Sequence, residues 1–230
     1  MVKIKNFYKN KKILVTGATG FKGAWLCLWL KILGSKVYGI GNNPNSNKKL
    51  FYELGLNKKI KTSLFDIRDY KKLEKLVNRI KPSIIFHLAA QPIIFTSYQK
   101  PLETFDINVR GTLNVLEVIK KNKFIKSAVF ITSDKCYENI GKIISYKEND
   151  RLGGVDPYSA SKSAAELTIR AYRESFFKKT NQAISSVRAG NVIGGGDWSK
   201  NRLIPDVIRS LLTKKKIIIR NPNFNRPWQH

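Results

Sequence analysis

Tyr158 and Lys162 form the first pattern with chemical meaning, because they are four residues apart in a stretch that can form a helix. That spacing places both side chains on one face, about one turn from each other. Tyrosine, with a pKa near about 10, is a poor base at neutral pH, but a lysine ammonium beside it favours the phenolate. The pair therefore predicts proton transfer by Tyr158 with help from Lys162.

Three glycines, Gly17, Gly20 and Gly23, form the second pattern. A predicted strand runs into them and a predicted helix follows, which is the context in which such glycines bind the pyrophosphate of a dinucleotide. Gly17 allows the tight turn, Gly20 lets the backbone approach the pyrophosphate, and Gly23 lets the helix pack close to the sheet. The amides and dipole of the helix then face the anion. A glycine turn that binds no ligand is the alternative interpretation.

The residues that would select between NAD and NADP are missing from their expected place. The segment 41–43, Gly-Asn-Asn, stands where an acidic residue normally binds the ribose hydroxyls, and it offers no Arg for a 2′-phosphate. Lys48 and Lys49 lie too far along the chain to decide. Asp66 could bond an adenine amino group, or it could serve a turn or a helix cap. The residues alone leave NAD and NADP open.

Ser133, Asp134 and Lys135 bring a hydroxyl, an acid and an amine to the end of the predicted fifth strand. Neighbours on a strand point to opposite faces, so the three share a site only if the strand ends there and the chain turns. A solvated charged loop is the alternative. His87 follows the fourth strand, and we interpret it as a packed or supporting histidine. Cys136 is interpreted as a packing residue, because no histidine pattern supports a cysteine nucleophile.

The elements that must position these residues alternate between short apolar runs and longer amphipathic ones. This pattern predicts an α/β fold, a doubly wound parallel Rossmann sheet with the start of a smaller, incomplete C-terminal substrate lobe. Strands are predicted at 12–16, 36–40, 60–65, 83–87, 127–132 and 183–188, with a short one at 217–219. Helices are predicted at 21–33, from a cap at Asp69 to near Ile80, and at 101–122, 157–179 and 203–212.

Three consecutive glycines at 194–196 mark a change in composition. We take this point as the boundary between two domains. Residues 1–193 are the predicted dinucleotide-binding Rossmann domain, and 194–230 are the predicted beginning of a truncated substrate-binding lobe.

Composition limits the class of protein. Hydrophobic residues make up 42% and aromatic residues 11%, which excludes disordered and low-complexity classes. The longest strongly apolar stretch, 24–30, is far shorter than the roughly 20 residues that span a bilayer, and no apolar leader follows Met1. Cys27 and Cys136 form neither a disulfide framework nor a metal site. We therefore expect a cytoplasmic protein with free thiols, without a membrane segment or a metal.

The net charge of +27 suggests a nucleic-acid or membrane partner. Lys and Arg are, however, scattered over the whole length, and Asn and Ile are abundant too, as codon bias in an AT-rich genome would produce. We expect no specific nucleic-acid partner. A positive cleft would still attract an anionic substrate such as a nucleotide sugar.

Several of these motifs together resemble the CDP-glucose 4,6-dehydratases, a family of extended short-chain dehydrogenases/reductases. The resemblance covers essentially all of the chain. The pair Asp134-Lys135 is specific, because the similar dTDP-glucose dehydratases carry Asp-Glu at that point. The matching stretches are 15–26, 87–92 with 97–98, 108–112, 132–139, 158–162, 188–198 and 202–206.

The resemblance implies an NAD-dependent dehydration of CDP-glucose or a similar nucleotide sugar. Tyr158, assisted by Lys162 and Ser133, would take the proton from the sugar 4-hydroxyl while hydride leaves C4 for NAD. The new ketone acidifies C5, and Lys135 is the candidate base for that proton. Asp134 would be the acid that helps the 6-hydroxyl leave, after which hydride returns to C6.

The resemblance also implies which residues bind each ligand. The cofactor residues would be Gly17, Thr19, Gly20, Phe21, Gly23, Asp66, Ile67, Leu88, Ala89, Ala90, Tyr158 and Lys162. Asn191 and Arg202 would hold the nucleotide diphosphate, for which Arg offers fork-like bonds. Gln91, Asn108 and Arg188 would support the substrate. The resemblance further implies a homo-oligomer when full length and a role in deoxysugar precursors of surface polysaccharide such as lipopolysaccharide O-antigen.

Two departures from the family pattern bear on these expectations. Phe95 stands where a basic residue is expected, and Ser133 stands where many relatives have Thr. The sequence also stops at His230 inside a family motif, so we expect roughly a third of the protein to be missing and the chain as given not to turn over CDP-glucose. One alternative is another nucleotide-sugar epimerase or dehydratase. Of these two, the Asp134-Lys135 pair disfavours an epimerase. The other is a non-catalytic dinucleotide sensor that binds nucleic acid.

Overall fold

A computed structural model describes residues 2–42, 49–141, 145–219 and 221–230. Six strands form one parallel sheet in the order β3-β2-β1-β4-β5-β6. They are β1 (Lys12–Thr16), β2 (Lys36–Gly41), β3 (Lys61–Leu64), β4 (Ile84–His87), β5 (Ser127–Ile131) and β6 (Ala183–Val187). The order reverses between β1 and β4, which confirms the predicted doubly wound sheet. Asn43 and Lys48, considered for cofactor selection, lie outside the described residues.

Helices flank the sheet, and most lie where the sequence predicts them. The helices are α1 (Val2–Tyr8), α2 (Phe21–Ile32), α3 (Lys49–Glu53), α4 (Leu56–Lys59), α5 (Tyr70–Ile80), α6 (Ile94–Gln99), α7 (Pro101–Phe105), α8 (Gly111–Lys121), α9 (Pro157–Tyr172) and α10 (Leu203–Leu212). The predicted helix 101–122 is continuous from α7 to α8 through a π-helical turn, Asp106–Arg110. A second π-helical turn, Arg173–Phe177, extends α9. Asp69 caps α5 as predicted, since its carboxylate accepts a hydrogen bond from Lys72 N at 3.1 Å.

The predicted strand 217–219 is wrong. These residues form no strand, and Ile218 is 77% exposed. An apolar run becomes a strand only when another strand supplies its hydrogen bonds, and no described strand pairs with this one. The short strand β8 (Trp228–Gln229) instead pairs in parallel with β7 (Asn191–Val192). A two-residue strand carries no periodicity that a sequence could reveal.

Two apolar cores lie on opposite faces of the sheet, as the strand alternation requires. Ile13 and Val15 of β1 belong to the core under α2 and α4. Leu14, between them, belongs to the core under α5, α8 and α9. Both faces are therefore covered, which is typical of a parallel sheet. Within the described ranges, no helix combines the length and apolarity that a membrane span requires.

The parallel sheet decides where a site can form. All six strands present their carboxyl ends at one edge. The glycine loop follows β1, segment 88–91 follows β4, segment 132–137 follows β5, and segment 188–193 follows β6. Four predicted groups of site residues are thus brought to the same edge. The predicted boundary between domains at 193 and 194 stays a prediction.

Candidate active site

A cavity of about 1000 Å³ opens at the carboxyl edge of the sheet. Its walls come from the ends of β5 and β6, the start of α9, and the segment 189–210. It is large enough for a ligand the size of a nucleotide sugar. Five of the predicted catalytic and substrate residues line it: Ser133, Lys135, Tyr158, Asn191 and Arg202.

Tyr158 lines the cavity from the first turn of α9, whereas Lys162, one turn later, is buried and does not line it. Asp156 caps this helix, because its carboxylate accepts hydrogen bonds from the Ser159 amide at 3.0 Å and the Ser159 hydroxyl at 2.6 Å. Pro157 occupies the first helical position, where a missing N–H costs nothing. The cap therefore fixes the point at which Tyr158 begins the helix, and Tyr158 is buried.

Burial sets the protonation of this pair. It raises the pKa of Tyr158, although the Ser133 hydroxyl and the charge of Arg202 act in the opposite direction. Burial lowers the pKa of Lys162 to about 8, and the charge of Lys22 adds to this shift, whereas Glu166 opposes it. The lysine is thus close to its titration range at neutral pH. In this arrangement Tyr158 is a phenol rather than a phenolate.

The chain turns sharply after β5, as the sharing of a site by Ser133, Asp134 and Lys135 requires. β5 ends at Ile131, and Asp134–Cys136 form one turn of 3₁₀ helix. The Ser133 hydroxyl donates to Asp134 Oδ1 at 3.0 Å, and Lys135 Nζ lies 3.4 Å from the same oxygen. The three functional groups therefore form one connected cluster. The alternative of a solvated loop does not hold for Ser133, which is buried.

Glu166 is a buried anchor that the sequence analysis did not single out. Its carboxylate accepts hydrogen bonds from Thr132 Oγ1 at 2.5 Å and Ser186 Oγ at 3.0 Å, and it forms an ion pair with Arg188 at 2.8 Å. The residue stands one turn after Lys162, on the same face of α9. It ties that helix to the ends of β5 and β6. The spacing of eight residues from Tyr158 is the only sequence signal that could have pointed to it.

Arg188 does not line the cavity. Besides Glu166, its guanidinium donates to Glu148 O at 2.9 Å and lies over the Tyr137 ring, 4.8 Å from the centroid. All of these partners are protein groups. The structure therefore places Arg188 in a network that supports segment 132–137.

Gln91 and Asn108 also lie outside the cavity wall. The Asn108 side chain accepts from Gln91 N at 2.8 Å and donates to Ser161 Oγ at 2.8 Å. The Gln91 side chain donates to Ile93 O at 3.1 Å and Thr104 Oγ1 at 2.9 Å. These amides join the segment after β4 to the helices beside it. Their predicted substrate contacts stay predictions.

Asn191 and Arg202 line the cavity from the C-terminal part of the chain. Asn191 is in β7, and its amide donates to Pro227 O at 3.2 Å. Arg202 immediately precedes α10 and forms an ion pair with Asp197 at 3.0 Å. Both side chains face the same space as Tyr158 and Ser133.

The glycine loop is held against the end of β4. Gly17 has a φ of +71°, and a Cβ there would lie 2.8 Å from Ala89 N. Thr16 fastens this junction, because its hydroxyl accepts from Leu88 N and Ala89 N at 3.1 Å each. A Cβ at Gly20 would meet only Gly17 O within 4 Å, at 3.3 Å. The predicted cofactor residues after β4 are all half-buried at this edge: Leu88, Ala89 and Ala90.

The other side of the loop faces neighbouring segments. A Cβ at Gly23 would collide with the Gly17 carbonyl, so the close packing at Gly23 is against the loop itself rather than the sheet. The Thr19 side chain occupies the space that a side chain at Gly41 would need. The Phe21 ring lies where a Cβ at Gly194 would be only 3.1 Å away. Phe21 therefore connects the loop with the segment that begins at the predicted domain boundary.

Asp66 serves a turn. Its carboxylate accepts from Arg68 N and Arg68 Nε at 2.9 Å each, and it pairs with Arg68 Nη2 at 2.7 Å. Hydrogen bonds from Arg68 hold the pKa of Asp66 below its usual value. Arg68 also bonds Asp106 at 3.1 Å. Ile67 is buried against Gly111, and contact of Asp66 with an adenine stays a prediction.

His87 and Cys136 are packed residues, as predicted. His87 is buried, and its Nδ1 lies 2.7 Å from Thr16 Oγ1. Burial, and then the charge of Lys162, lower the pKa of His87 to about 3, so the ring is neutral. Burial raises the pKa of Cys136 to about 12, which makes it a poor nucleophile. Among the described residues, no group of His, Cys, Asp and Glu could hold a metal ion.

Lys22 is a second site residue that the sequence analysis missed. It lines the cavity beside Lys135 and Arg202, although it belongs to the glycine motif. The glycine spacing says nothing about where the Lys22 side chain points.

Comparison with known proteins gives a consistent result. The family model of GDP-mannose 4,6 dehydratase matches residues 14–230. The chain is 49% identical over 231 residues to CDP-glucose 4,6-dehydratase of Salmonella typhimurium, and the match covers 98% of this chain and 64% of that protein. It is 28% identical to dTDP-D-glucose 4,6-dehydratase of Dictyostelium discoideum, over 94% of this chain and 51% of that protein. The chain therefore spans less than two thirds of the length of these relatives.

Solved structures share the fold. The dTDP-glucose 4,6-dehydratase of Bacillus anthracis, in complex with NAD, superposes with a TM-score of 0.80 at 25% identity, covering 96% of this chain and 67% of that one. The UDP-glucuronic acid 4-epimerase of Bacillus cereus, in complex with UDP-glucuronic acid and NAD, gives 0.81 at 28% identity, covering 94% and 68%.

Proposed function

The chain belongs to the GDP-mannose 4,6-dehydratase family, and from that premise we propose that it acts as an NAD-dependent lyase that removes water from CDP-glucose to give CDP-4-keto-6-deoxyglucose. The choice of sugar nucleotide follows the Salmonella relative, which is named for CDP-glucose. The whole protein would carry out this reaction in the cytoplasm as a homo-oligomer, for the synthesis of deoxysugar precursors, without a specific nucleic-acid partner.

The observation that carries the proposal is the meeting of a phenol, a hydroxyl, an acid and an amine at one cavity. Tyr158, Ser133 and Lys135 line it, and Asp134 bonds to both Ser133 and Lys135. A dehydratase needs a base at the 4-hydroxyl and a further acid and base at C5 and C6. An epimerase needs only the first. The Asp134–Lys135 pair beside Tyr158 therefore supports dehydration.

The glycine loop fits a dinucleotide. Gly17 and Gly23 face protein backbone so closely that a Cβ would collide, whereas Gly20 has no close neighbour except Gly17 O. A pyrophosphate can therefore approach the backbone at Gly20 and the first amides of α2. When bound, NAD supplies hydride transfer to and from the sugar. Lys162, one turn behind Tyr158, would bond the nicotinamide ribose and hold positive charge beside the phenol.

The roles of the protein groups follow from their positions. Tyr158, a phenol in the protein alone, would first release its proton and then, as a phenolate beside the Lys162 ammonium, take the proton from the 4-hydroxyl. Ser133 orients that hydroxyl. Lys135 and Asp134, whose ammonium nitrogen and carboxylate oxygen lie 3.4 Å apart, would first pass a proton from the amine to the acid. Once a ketone at C4 has acidified C5, the neutral Lys135 takes the C5 proton while the protonated Asp134 gives its proton to the departing 6-hydroxyl. Arg202 and Asn191 would hold the diphosphate, for which Arg offers paired N–H donors.

Single-turnover mixing of the whole protein with NAD and CDP-glucose tests the proposal, with absorbance of reduced nicotinamide as the readout. Asp134→Asn should oxidise the sugar and then stall, so the absorbance rises and persists. Tyr158→Phe should show almost none. Tyr172→Phe, which removes a hydroxyl from the same helix where it bonds Glu117, is the matched control and should behave as wild type.

The Salmonella relative serves as the positive control for the assay. Turnover of Asp134→Asn at the wild-type rate would remove the acid role. If wild type converts CDP-glucose to its 4-epimer without losing water, the protein is an epimerase instead. If the relative reacts and the whole protein forms no reduced nicotinamide at all, the proposal fails.

A further inference from the structure

Lys22 links the glycine loop to the substrate cavity. It is the second residue of α2 and lies between Gly20 and Gly23 in the sequence. Its side chain nevertheless lines the cavity together with Tyr158 and Lys135. No other residue of the glycine motif lines this cavity in the described part of the chain. Lys22 is thus placed to contact a ligand bound at the glycine loop or a ligand bound in the substrate cavity.

Cations and carboxylates both surround Lys22. Arg202 and Lys135 lower its pKa, and Lys22 in turn lowers the pKa of Lys162. Two carboxylates, Asp134 and Asp197, act in the opposite direction. Four cations therefore converge on this region, and of its acids in the described part of the chain only Asp134 and Asp197 act on Lys22.

Both of those acids are already engaged. Asp197 pairs with Arg202 at 3.0 Å and accepts from Ser199 N at 3.1 Å. Asp134 accepts from the Ser133 hydroxyl and lies 3.4 Å from Lys135 Nζ. Neither forms an ion pair with Lys22 in the described residues. The ammonium of Lys22 thus meets like charges without a counter-charge of its own.

Such an arrangement costs free energy in the protein alone. Burial is the first cause that lowers the pKa of Lys22, and repulsion from Arg202 is the second. A buried cation is normally paired, because desolvation is otherwise uncompensated. An anionic ligand would supply the missing counter-charge, and a neutral sugar ring would not. The first turn of α2 adds its backbone amides and the positive end of its dipole at the same place.

We infer that Lys22 is a ligand-binding residue of this site, whose ammonium acts together with Arg202 to bind a diphosphate group. Two ligands carry this chemistry: the pyrophosphate of a dinucleotide on the glycine loop and the diphosphate of a nucleotide sugar in the cavity. The inference deepens the proposed function and rests on it for both ligands. Inorganic pyrophosphate carries the same chemistry independently of that function.

Calorimetric titration of wild type and Lys22→Met with inorganic pyrophosphate, NAD and CDP tests the inference. A hydrogen-bonded charge pair lost from a binding site weakens affinity by about tenfold or more. We expect that loss for pyrophosphate and for at least one nucleotide. Lys31→Met, at the other end of the same helix, removes the same charge away from the cavity and should change none of the three.

The titrations show which of the two ligands, the dinucleotide or the nucleotide sugar, Lys22 binds. Weaker NAD binding with unchanged CDP binding assigns Lys22 to the cofactor, and the reverse assigns it to the substrate. Equal affinities of Lys22→Met and wild type for all three ligands overturn the inference, and so does a wild type that binds none of them. If wild type binds pyrophosphate through Lys22 but neither NAD nor CDP, the proposed function fails and the diphosphate site stands.

Thermal melting supplies a second measurement. If Lys22 were a purely structural residue, replacing it would change the melting temperature in the opposite direction to the one expected here. Removing a half-buried cation that has no ion-pair partner of its own among the described residues should raise the melting temperature of Lys22→Met without ligand, because desolvation and repulsion disappear. A structural role would lower it. Increased melting temperature together with weaker diphosphate binding supports the inference, and a lowered melting temperature with unchanged binding overturns it.

Discussion

At the scale of single residues, the site depends on ionisable groups held out of water. Lys162, on the second turn of α9, is the clearest case, since burial lowers its pKa from 10.5 to about 8. Glu166 one turn further limits this shift, while Lys22 increases it. A lysine in this state can exchange its proton near neutral pH, which suits a group that stabilises a transient phenolate.

The lowered pKa of Lys162 predicts a pH-dependent stability. Between about pH 8 and 10.5 the unfolded chain keeps this proton while the folded chain releases it. The free energy of unfolding should therefore rise with pH in that window, by up to about 1.4 kcal/mol per pH unit for one group. Below it both states are protonated, and the contribution is constant.

Denaturant unfolding of wild type and Lys162→Met across pH 7 to 10.5 measures this effect. The difference between the two curves isolates Lys162, because the other titrating groups are common to both proteins. We expect wild type to gain stability relative to the variant as pH rises. Parallel curves would show that Lys162 titrates normally. Lys31→Met is the control and should run parallel to wild type.

At the scale of elements, the glycine loop is built by two strands and one helix. Thr16 at the end of β1 bonds the backbone that follows β4, and α2 begins directly after the loop. Gly17 and Gly20 differ in what surrounds them. Gly17 has a left-handed φ and faces backbone atoms at 2.8 Å, whereas Gly20 has an ordinary φ of −84° and an open side.

This difference predicts separate effects of two substitutions. Gly20→Val should abolish NAD binding while most of the stability remains, because its side chain would occupy the space that a pyrophosphate needs. Gly17→Val should lower the melting temperature strongly, because both the φ of +71° and the backbone of Leu88 and Ala89 oppose a side chain. Calorimetry with NAD and thermal melting measure the two effects. Wild-type NAD affinity in Gly20→Val would remove the phosphate-loop assignment.

At the scale of the whole molecule, the net charge of +27 dominates long-range behaviour. Lys and Arg occur along the entire chain, so the positive potential is not confined to the cavity. The cavity concentrates part of it, through Lys22, Lys135 and Arg202. We expect nucleic acids to be attracted to the protein whatever their sequence, and diphosphates to be bound only in the cavity.

This expectation can be tested with duplex DNA. Two duplexes of unrelated sequence should both shift in a mobility assay at roughly 50 mM salt and be released at roughly 200 mM, because non-specific binding releases counterions and weakens steeply with salt. The same two duplexes in the presence of CDP-glucose should behave identically. A shift that survives at high salt for one sequence only would favour a nucleic-acid partner.

The parts of the protein that local patterns describe were predictable from the sequence. Residues 13–15 alternate between two apolar layers, and the glycine spacing after them predicts the turn into α2. Tyr158 and Lys162 share a face because their spacing matches the helical repeat. Asp69 caps α5 through a contact only three residues away. Each of these features depends on neighbours in the chain, so the parallel sheet, its first loop and the Tyr158–Lys162 pair followed from residue types alone.

Contacts between distant segments were decided only by the tertiary structure. Glu166 acquires Thr132 and Arg188 as partners from the segments that follow β5 and β6, far away in sequence, and Arg188 does not line the cavity. Asn108 turns its amide toward Ser161 for the same reason. Lys22 reaches the cavity because the segment after β6 closes over the first turn of α2, as the bond from Trp25 Nε1 to Gly195 O at 2.9 Å shows. A buried polar group must find a partner wherever the fold brings one, and no local spacing encodes which partner that will be.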